Sequence, residues 1–376
     1  MKKINPFKVK GLASGNLFFN RTAEKELLAR RAWGGQNTLL IAPRRYGKSS
    51  LLEVLTQELR HEIKVANVDL FRCARVSEMV SVLGRSMVRA QTEPWEKISG
   101  WIKKGLPKLA PKFSISAQGE PEFSFDVREK SAGLETLDEL LVWFDRTPSS
   151  GRKLLILDEV QELLSFENAT EVEKHLRASI QRLKNTTVFF SGSLPSVLQE
   201  MFTHKKRAFY QSALVTHLEL PPLPDAVRFL ENHLIQFRRP GLTEWITEVV
   251  RVTQGHPYYV QLAGYFAWER LNDSPSQFPA MQEVIEDVLA QEQNGFETTI
   301  EPLTGIQRQV YRAIALYPGV AVTSHQFIAD NHLGAHSTVR ATAKRLLQLG
   351  HIKKSIGHDL SFEPTDPLLA YWMTQK

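Results

Sequence analysis

A short run of residues carries the chemistry most readily recognised in this chain. An apolar stretch at 38–41 is followed by Ala42-Pro43-Arg44-Arg45-Tyr46-Gly47-Lys48-Ser49-Ser50 and then by helix-forming residues. This is the G-x-x-x-x-G-K-[ST] phosphate-binding pattern, in which a strand leads through a glycine-containing turn into a helix. Ala42 stands in place of the first glycine. Gly47 lets backbone N–H groups approach phosphate oxygens, Lys48 reaches the β- and γ-phosphates, and Ser49 can bind Mg²⁺. We therefore predict that residues 42–50 bind ATP or ADP with Mg²⁺.

A second apolar run ends in two acids. Residues 154–157 are Leu-Leu-Ile-Leu, and Asp158 and Glu159 follow. Strands of a parallel sheet that are buried on both faces have such continuous apolar runs, and ligands collect at their carboxyl ends. We expect Asp158 to bind Mg²⁺ and Glu159 to orient or activate the water that attacks the γ-phosphate. The alternative is that these acids only begin the next helix.

Two further positions are candidates for contact with the nucleotide. The run Val188-Phe189-Phe190 precedes Ser191-Gly192-Ser193, so Ser191 or Ser193 could bond the γ-phosphate or the attacking water. Ordinary turn chemistry is the alternative for both serines. His256 and Pro257 follow Gly255 at the start of a predicted helix. A single histidine there is more often structural, by capping or packing.

The elements that position these residues alternate along the chain. Strands are predicted at 38–41, 64–70, 153–157, 187–190 and 215–218, with helical stretches between most of them, which favours an α/β parallel sheet. A helix over 26–33 precedes them, with Thr22 as its candidate cap. Residues 95–130 interrupt the alternation and read as a loop with a small hairpin. Residues 225–293 have a helical pattern.

Composition sets the broad class. The chain has 376 residues, 42% of them hydrophobic and 23% charged, which is ordinary for a protein with a real core. A single cysteine excludes an internal disulfide and fits a reducing compartment. No apolar run is long enough to cross a bilayer and no signal-peptide pattern is present, so we expect a cytoplasmic protein without membrane association. The net charge of +6 permits polyanion binding without requiring it.

Several motifs together resemble the prokaryotic P-loop ATPases of the AAA+/STAND group, often called archaeal-type ATPases. The resemblance covers about residues 1–300, and a C-terminal winged helix is common in such proteins. It is carried by the segments at 19–24, 43–49 (the Walker A motif), 157–162 (the Walker B motif), 191–193, 207–210 and 255–259.

The resemblance implies roles that the residues alone do not give. Asn20 and Arg21, in the segment that ends at Glu24, would lie near the adenine, and His256 and Pro257 would sense the nucleotide from a helical lid. Many relatives have an arginine shortly after a Phe-Tyr pair, but Gln211 follows Tyr210 here. Arg207, Lys205 or Lys206 could substitute in trans, from a neighbouring copy in an ATP-bound homo-oligomer. Slow turnover, as in a switch, is the expectation.

The C-terminal residues predict a separate winged-helix domain. Helices are expected at 304–316, 323–329 and 337–349, and two strands flank residues 356–358. The third helix of such a domain inserts into the major groove while basic side chains bind phosphates. The candidate DNA-binding residues are Ser337, Arg340, Lys344, Arg345, Lys353 and Lys354. A protein-interaction domain with a solvated basic face is the alternative.

The sequence thus predicts a P-loop parallel sheet flanked by helices, followed by a helical lid and a small winged-helix domain. The boundaries are 1–222 for the ATPase core, with an adenine-side segment at 1–35, then 223–300 for the lid and 301–376 for the winged helix. The leading functional hypothesis is a Mg²⁺-dependent ATPase, slow or stimulated by a partner, whose nucleotide state controls duplex DNA binding. The alternative is a signalling or defence regulator that binds protein partners. A kinase or GTPase is disfavoured, because no guanine-reading Asn-Lys-x-Asp is present.

Overall fold

The computed structural model divides the chain into two compact units. The sheet unit contains Thr22–Ala42 and Leu51–Leu218, and the C-terminal unit contains Pro43–Ser50, the described residues up to Arg21, and those of Glu219–Lys376. The residues that the structure describes are 4–9, 11, 15, 18, 21–91, 93–106, 109–115, 121–127, 133–149, 151–237, 240–273, 279–355 and 360–375.

The strands of the described chain are β1 Thr38–Ile41, β2 Lys64–Asp69, β3 Leu109–Ile115, β4 Pro121–Val127, β5 Lys153–Asp158, β6 Thr186–Gly192, β7 Leu214–His217, β8 Ile352–Lys354 and β9 Phe362–Pro364. The helices are α1 Thr22–Trp33, α2 Lys48–Leu59, α3 Val76–Arg89, α4 Trp95–Gly105, α5 Gly133–Arg146, α6 Ala169–Gln181, α7 Pro195–Thr203, α8 Leu223–Leu234, α9 Leu242–Val252, α10 Pro257–Asp273, α11 Met281–Ile300, α12 Gly305–Leu316, α13 His325–Asp330, α14 His336–Gln348 and α15 Pro367–Gln375. None of the helices in the described residues combines the length and apolar character needed to cross a bilayer.

A five-stranded sheet organises the sheet unit. Its order is β2-β5-β6-β1-β7, and every pairing is parallel. All residues of β1 and β6 are buried, as are those of β5 up to Leu157, because helices cover both faces of such a sheet. This confirms the predicted α/β fold with a P-loop sheet flanked by helices.

The strand order determines which chain ends lie together. Since β6 lies between β5 and β1, the carboxyl ends of these three strands are neighbours at one edge of the sheet. Register pairs Ile41 with Gly192 and Leu157 with Phe190. The residues that follow β5 and β6 therefore lie close to the point where β1 leaves the sheet.

The segment predicted as a loop with a small hairpin is only partly so. The hairpin exists, since β3 and β4 pair antiparallel. Residues 95–105 form α4 instead of a loop, and Ile98 and Ile102, one helical turn apart, are buried. Gly105 and the prolines at 107, 111 and 121 led to the prediction of a loop, because glycine and proline are typical of turns. Similarly, α1 begins at Thr22 itself, one residue before the position that a Thr22 cap would require.

The C-terminal unit joins a helical region to a winged helix. Helices α8 to α11 form the predicted helical lid, and α12 to α14 with the hairpin β8–β9 form the winged helix. Thr304 begins α12 through a capping box with Gln307. Buried residues of both parts, including Leu262, Phe296, Val310 and Leu369, belong to one hydrophobic core.

Candidate functional site

The phosphate loop occupies the turn between β1 and α2. The N–H of Ala42 donates a hydrogen bond to the Gly192 carbonyl, and α2 begins at Lys48, whose side chain is buried. Gly47 has a φ of 87°, a backbone conformation that glycine adopts without strain. Apart from the neighbours of Gly47 in the chain, no described residue has an atom within 4 Å of the point where a Gly47 Cβ would stand, so the loop is open on that side. Pro43, Ser49 and Ser50 are half-buried, and Arg44 is exposed.

Arg21 contacts the backbone of this loop. Its side chain is buried and donates hydrogen bonds to the carbonyl oxygens of Tyr46, at 2.9 Å, and Glu219, at 2.6 Å. The resemblance placed Arg21 near the adenine, whereas the described contacts of its guanidinium go to main-chain oxygens. Asn20, its neighbour in that prediction, lies outside the described residues.

Asp158 and Ser191 meet at the carboxyl ends of β5 and β6. The Ser191 hydroxyl donates a hydrogen bond of 2.6 Å to Asp158 Oδ1, which also accepts the Glu159 N–H at 3.0 Å. Ser191 is fully buried within β6, which extends to Gly192, so it belongs to the strand and not to a turn. Two groups therefore fix the orientation of the Asp158 carboxylate.

Glu159 occupies a distinct backbone conformation and is held by its own set of donors. Its φ of 53° is in the left-handed region, which turns the chain from β5 into a 3₁₀ turn at Val160–Ser165. The Ser193 hydroxyl donates to Glu159 Oε2 at 2.8 Å, and the Ser193 N–H donates at 3.1 Å. The sequence analysis selected Glu159 and Ser193 separately, and the structure brings them together.

Gln161 completes this cluster and was missed by the sequence analysis. Its Nε2 donates to Glu159 Oε2 at 2.5 Å. Within the described residues, the buried Gln161 Oε1 has no hydrogen-bond partner. A Cβ on Gly192 would lie 2.1 Å from that oxygen, so a glycine is needed there for Gln161 to reach Glu159. The sequence signal that could have identified Gln161 was its position two residues after Glu159.

His256 lies in the C-terminal unit, directly before α10, which begins at Pro257. It is buried, and its ring contacts the Tyr46 ring edge-on, with 5.2 Å between ring centroids. Burial, and secondarily the nearby positive charge of Arg45, lowers the pKa of His256 to about 3. The side chain is therefore neutral at physiological pH and cannot supply a positive charge to a phosphate.

The candidate DNA-binding residues lie on α14 and the hairpin. Ser337, Arg340, Lys344 and Arg345 are exposed on α14, while Val339 and Leu346 on its other face are buried. A cleft of about 480 Å³ lies along the exposed face, lined by Thr323, His336, Ser337, Arg340, Ala341, Lys344 and Leu360. Lys354 is exposed on β8, and Lys353 is 3.8 Å from Glu363 on β9.

Arg207, a candidate to act on a neighbouring copy, has a partner within its own unit. Its guanidinium pairs with the buried Glu173 of α6. Burial raises the pKa of the Glu173 carboxyl, and the Arg207 charge opposes that rise. Removing Arg207 would leave a buried carboxylate without its cation, so Arg207 stabilises the sheet unit where it stands.

The chain is similar to known proteins in two comparisons, one with protein families and one with solved structures. Residues 294–375 match a family model described as a probable winged helix domain. The Walker-type ATPase PABY2304 of Pyrococcus abyssi superposes with a TM-score of 0.68 and 18% identity, covering 98% of this chain and 99% of that one. The ORC2 protein of Aeropyrum pernix in its ADPNP–ADP complexes gives 0.56 and 16%, covering 94% and 92%. Its ADP form gives 0.52 and 15%, covering 94% and 91%.

These similarities define the fold. The chain shares its fold with the archaeal Walker-type ATPase and the ORC2 protein, and it ends in a winged-helix domain, as the resemblance seen in the sequence predicted. No curated protein sequence matches the chain. At these levels of identity the structural similarity establishes the fold alone, and the activity has to be argued from the residues.

Proposed function

We propose that this protein is a Mg²⁺-dependent ATPase that hydrolyses ATP slowly and uses the ATP and ADP states as a switch. The observation that carries the proposal is the cluster of Asp158, Glu159 and Ser193 at the carboxyl edge of the sheet, where β1 leads into the phosphate loop. The A. pernix relative was solved with ADPNP and ADP, which supports a nucleotide as the ligand.

Ser49 and Asp158 are the residues that we propose to bind the Mg²⁺ of the nucleotide, on the chemistry of each side chain. The Ser49 hydroxyl and the Asp158 carboxylate are oxygen ligands, the kind that Mg²⁺ prefers. When bound, Mg²⁺ would neutralise negative charge on the phosphates. Lys48 would bind the β- and γ-phosphates, and backbone N–H groups of residues 44–47 would donate to phosphate oxygens. The open side of Gly47 leaves room for that approach.

Glu159 has the chemistry of a water-positioning group. In the proposed reaction its carboxylate accepts a hydrogen bond from the attacking water and receives a proton as the water oxygen bonds to the γ-phosphorus. The bond between the γ-phosphorus and the β–γ bridging oxygen breaks, and ADP leaves with that oxygen. Ser193 and Gln161 both hydrogen-bond to Glu159 Oε2 and so fix the direction of the carboxylate. The dependence of hydrolysis on Mg²⁺ is tested by measuring phosphate release with Mg²⁺ present and with the metal chelated. Equal rates in the two conditions would contradict a Mg²⁺-dependent reaction.

Duplex DNA is the partner that we propose for the winged helix. The support is the exposed basic face of α14, where Arg340 and Lys344 line the cleft. Base edges and phosphates offer the acceptors that these side chains need. Fluorescence anisotropy with labelled duplex DNA at about 50 mM salt, with and without ATP, tests this part. Absence of binding in both conditions would remove DNA from the proposal.

A protein partner is the second candidate, favoured by a different surface of the same domain. Leu316, Tyr317 and Val320, at the end of α12 and just after it, are 41–47% exposed. Neighbouring exposed apolar side chains of this kind are typical of protein-contact sites. Co-purification of a protein that is lost on Leu316→Ser and Val320→Ser substitution, with DNA binding absent, would favour this candidate.

A further inference from the structure

Tyr46, in the phosphate loop, is hydrogen-bonded to the winged helix. Its ring is buried, with 2% of its surface exposed, and its hydroxyl donates a bond of 3.0 Å to the Thr365 carbonyl. Thr365 directly follows β9, and its own hydroxyl donates to the Gly350 carbonyl at 2.7 Å. The acceptor is thus fixed within the winged helix, and the bond joins the loop to the end of the hairpin.

A second chain of contacts leads from Tyr46 to the same place. The Tyr46 ring contacts His256, and the His256 ring lies 4.6 Å from the Tyr259 ring, centroid to centroid. The Tyr259 hydroxyl donates to Asp366 Oδ2 at 2.7 Å. Asp366 Oδ1 accepts the N–H groups of Leu368 and Leu369 and so caps α15. Both chains of contacts end at the adjacent residues Thr365 and Asp366.

Arg45, the neighbour of Tyr46, is held by the helical lid. Its guanidinium pairs with Glu292 of α11 and lies over the Tyr258 ring, 4.2 Å from the centroid. The Tyr258 hydroxyl donates to Glu292 Oε1 at 2.6 Å. Arg45 has a φ of 66°, a conformation that costs a non-glycine residue energy and persists only where surrounding contacts hold it. The ion pair with Glu292 and the contact with the Tyr258 ring stabilise Arg45 in this conformation.

The hydroxyl of Tyr46 has a role that its ring cannot fill. Packing against His256 requires only the ring, which phenylalanine would supply equally. The hydrogen bond requires a proton on the oxygen, and burial raises the pKa of Tyr46 far above its ordinary value, so the hydroxyl stays a donor. If the hydroxyl is removed, the Thr365 carbonyl loses a buried donor and the loop loses its direct bond to the hairpin.

We infer that Tyr46 and Arg45 are positioning residues through which the winged helix and the lid hold the phosphate loop in its nucleotide-binding conformation. The inference rests on the proposed nucleotide site and adds how that site is regulated. Coupling is reciprocal, so a nucleotide that binds the held loop must stabilise the contact with Thr365 by the same factor. Nucleotide binding should therefore suppress opening of Thr365, Asp366 and the helix that follows them, α15.

Hydrogen exchange of the full chain, with and without ADP and Mg²⁺, measures that opening. In the parent protein ADP should slow amide exchange in α15. In Tyr46→Phe, exchange without nucleotide should rise by about 2- to 10-fold, the factor expected for one hydrogen bond, and ADP should restore less protection. Calorimetry should show a weaker ADP affinity for the variant by a similar factor.

Matched variants separate this linkage from a general loss of stability. Tyr311→Phe also removes a buried tyrosine hydroxyl of the C-terminal unit, one that has no hydrogen-bond partner within the described residues, and should behave as the parent. Glu292→Gln removes the charge that holds Arg45 and should reduce the effect of ADP as Tyr46→Phe does. It replaces that variant if Tyr46→Phe does not fold.

The two proposals fail in different ways. No ADP binding by the parent would overturn the nucleotide site itself. ADP binding without slower exchange in α15 would overturn the linkage alone, and so would an equal response of the parent and Tyr46→Phe. Slower exchange in the parent that is weakened in both Tyr46→Phe and Glu292→Gln, and retained in Tyr311→Phe, supports the linkage.

Discussion

The Ser191 hydroxyl donates a 2.6 Å hydrogen bond to Asp158 Oδ1, so the carboxyl ends of β6 and β5 are joined by a side-chain bond. On the other side of β6, the N–H of Ala42, which directly follows β1, donates a hydrogen bond to the Gly192 carbonyl. A displacement of β6 would therefore move both Asp158, the proposed metal ligand, and Ala42, at the start of the phosphate loop.

Glu159→Gln should separate nucleotide binding from hydrolysis. The amide keeps the size of the side chain but accepts a proton poorly, so ATP should still bind while cleavage slows by about 10²–10⁴-fold. Single-turnover phosphate release measures the rate, and calorimetry measures the affinity. Glu167→Gln, an exposed carboxylate beyond the 3₁₀ turn, is the matched control and should keep the parent rate. Hydrolysis by Glu159→Gln at the parent rate would assign water activation to another group.

Gly192→Ala should damage the same site from the opposite side. The added Cβ would lie 2.1 Å from Gln161 Oε1 and 2.9 Å from Leu198 Cδ1, so Gln161 must leave Glu159. We expect a loss of about 1–3 kcal/mol in the free energy of unfolding, and slower hydrolysis. Urea denaturation measures the loss. Gly100→Ala, within α4, has open space and should be neutral or stabilising. Equal effects of the two substitutions would disprove the steric argument.

Neutralising the wing lysines should weaken DNA binding uniformly. In Lys353→Gln/Lys354→Gln, affinity should fall for all duplex sequences, and the salt slope should decrease by about two, one for each phosphate contact. Lys174→Gln/Lys184→Gln, at two exposed lysines of the sheet unit, is the control for net charge. Arg340→Ala should instead relax sequence preference, if Arg340 reaches a base edge. An unchanged slope in the double variant would place the hairpin away from the DNA backbone.

His256 should make the protein sensitive to acid. Its pKa is about 3 in the folded chain and 6.5 when unfolded, so the unfolded state binds more protons between these values. Stability is therefore lost as pH falls from about 6.5 towards 3. Thermal unfolding over this range should show a smaller pH dependence in His256→Leu than in the parent. His61→Asn, at an exposed histidine, should leave the dependence unchanged. Parallel curves for His256→Leu and the parent would contradict the assignment.

The sequence predicted those parts of the fold that depend on local patterns. The continuous apolar runs of β1, β5 and β6 gave the buried parallel sheet, and the spacing of apolar residues in α12 and α14 gave the winged helix. Helix α4 was missed because Gly105 and the prolines that follow it outweighed the spacing of Ile98 and Ile102. Such contradictions between residue preference and packing are resolved only by tertiary contacts.

Contacts between residues that are distant in the sequence could not be predicted from sequence patterns. The partner of Tyr46 is 319 residues away, and Arg45 is held by Glu292, 247 residues away. No local pattern marks either pair. The link between Gln161 and Gly192 depends on the order of β5 and β6 in the sheet, which the alternation of strands and helices does not specify.

The most direct test of the account is a calorimetric titration of ATP with Mg²⁺ into the parent and into Lys48→Ala. Lys48 is the buried cation at the start of α2 and is proposed to bind the β- and γ-phosphates. Lys184→Ala, at an exposed lysine of the sheet unit, is the control. The account predicts binding to the parent and to Lys184→Ala, and loss or severe weakening in Lys48→Ala. Equal affinity for the parent and Lys48→Ala would contradict it.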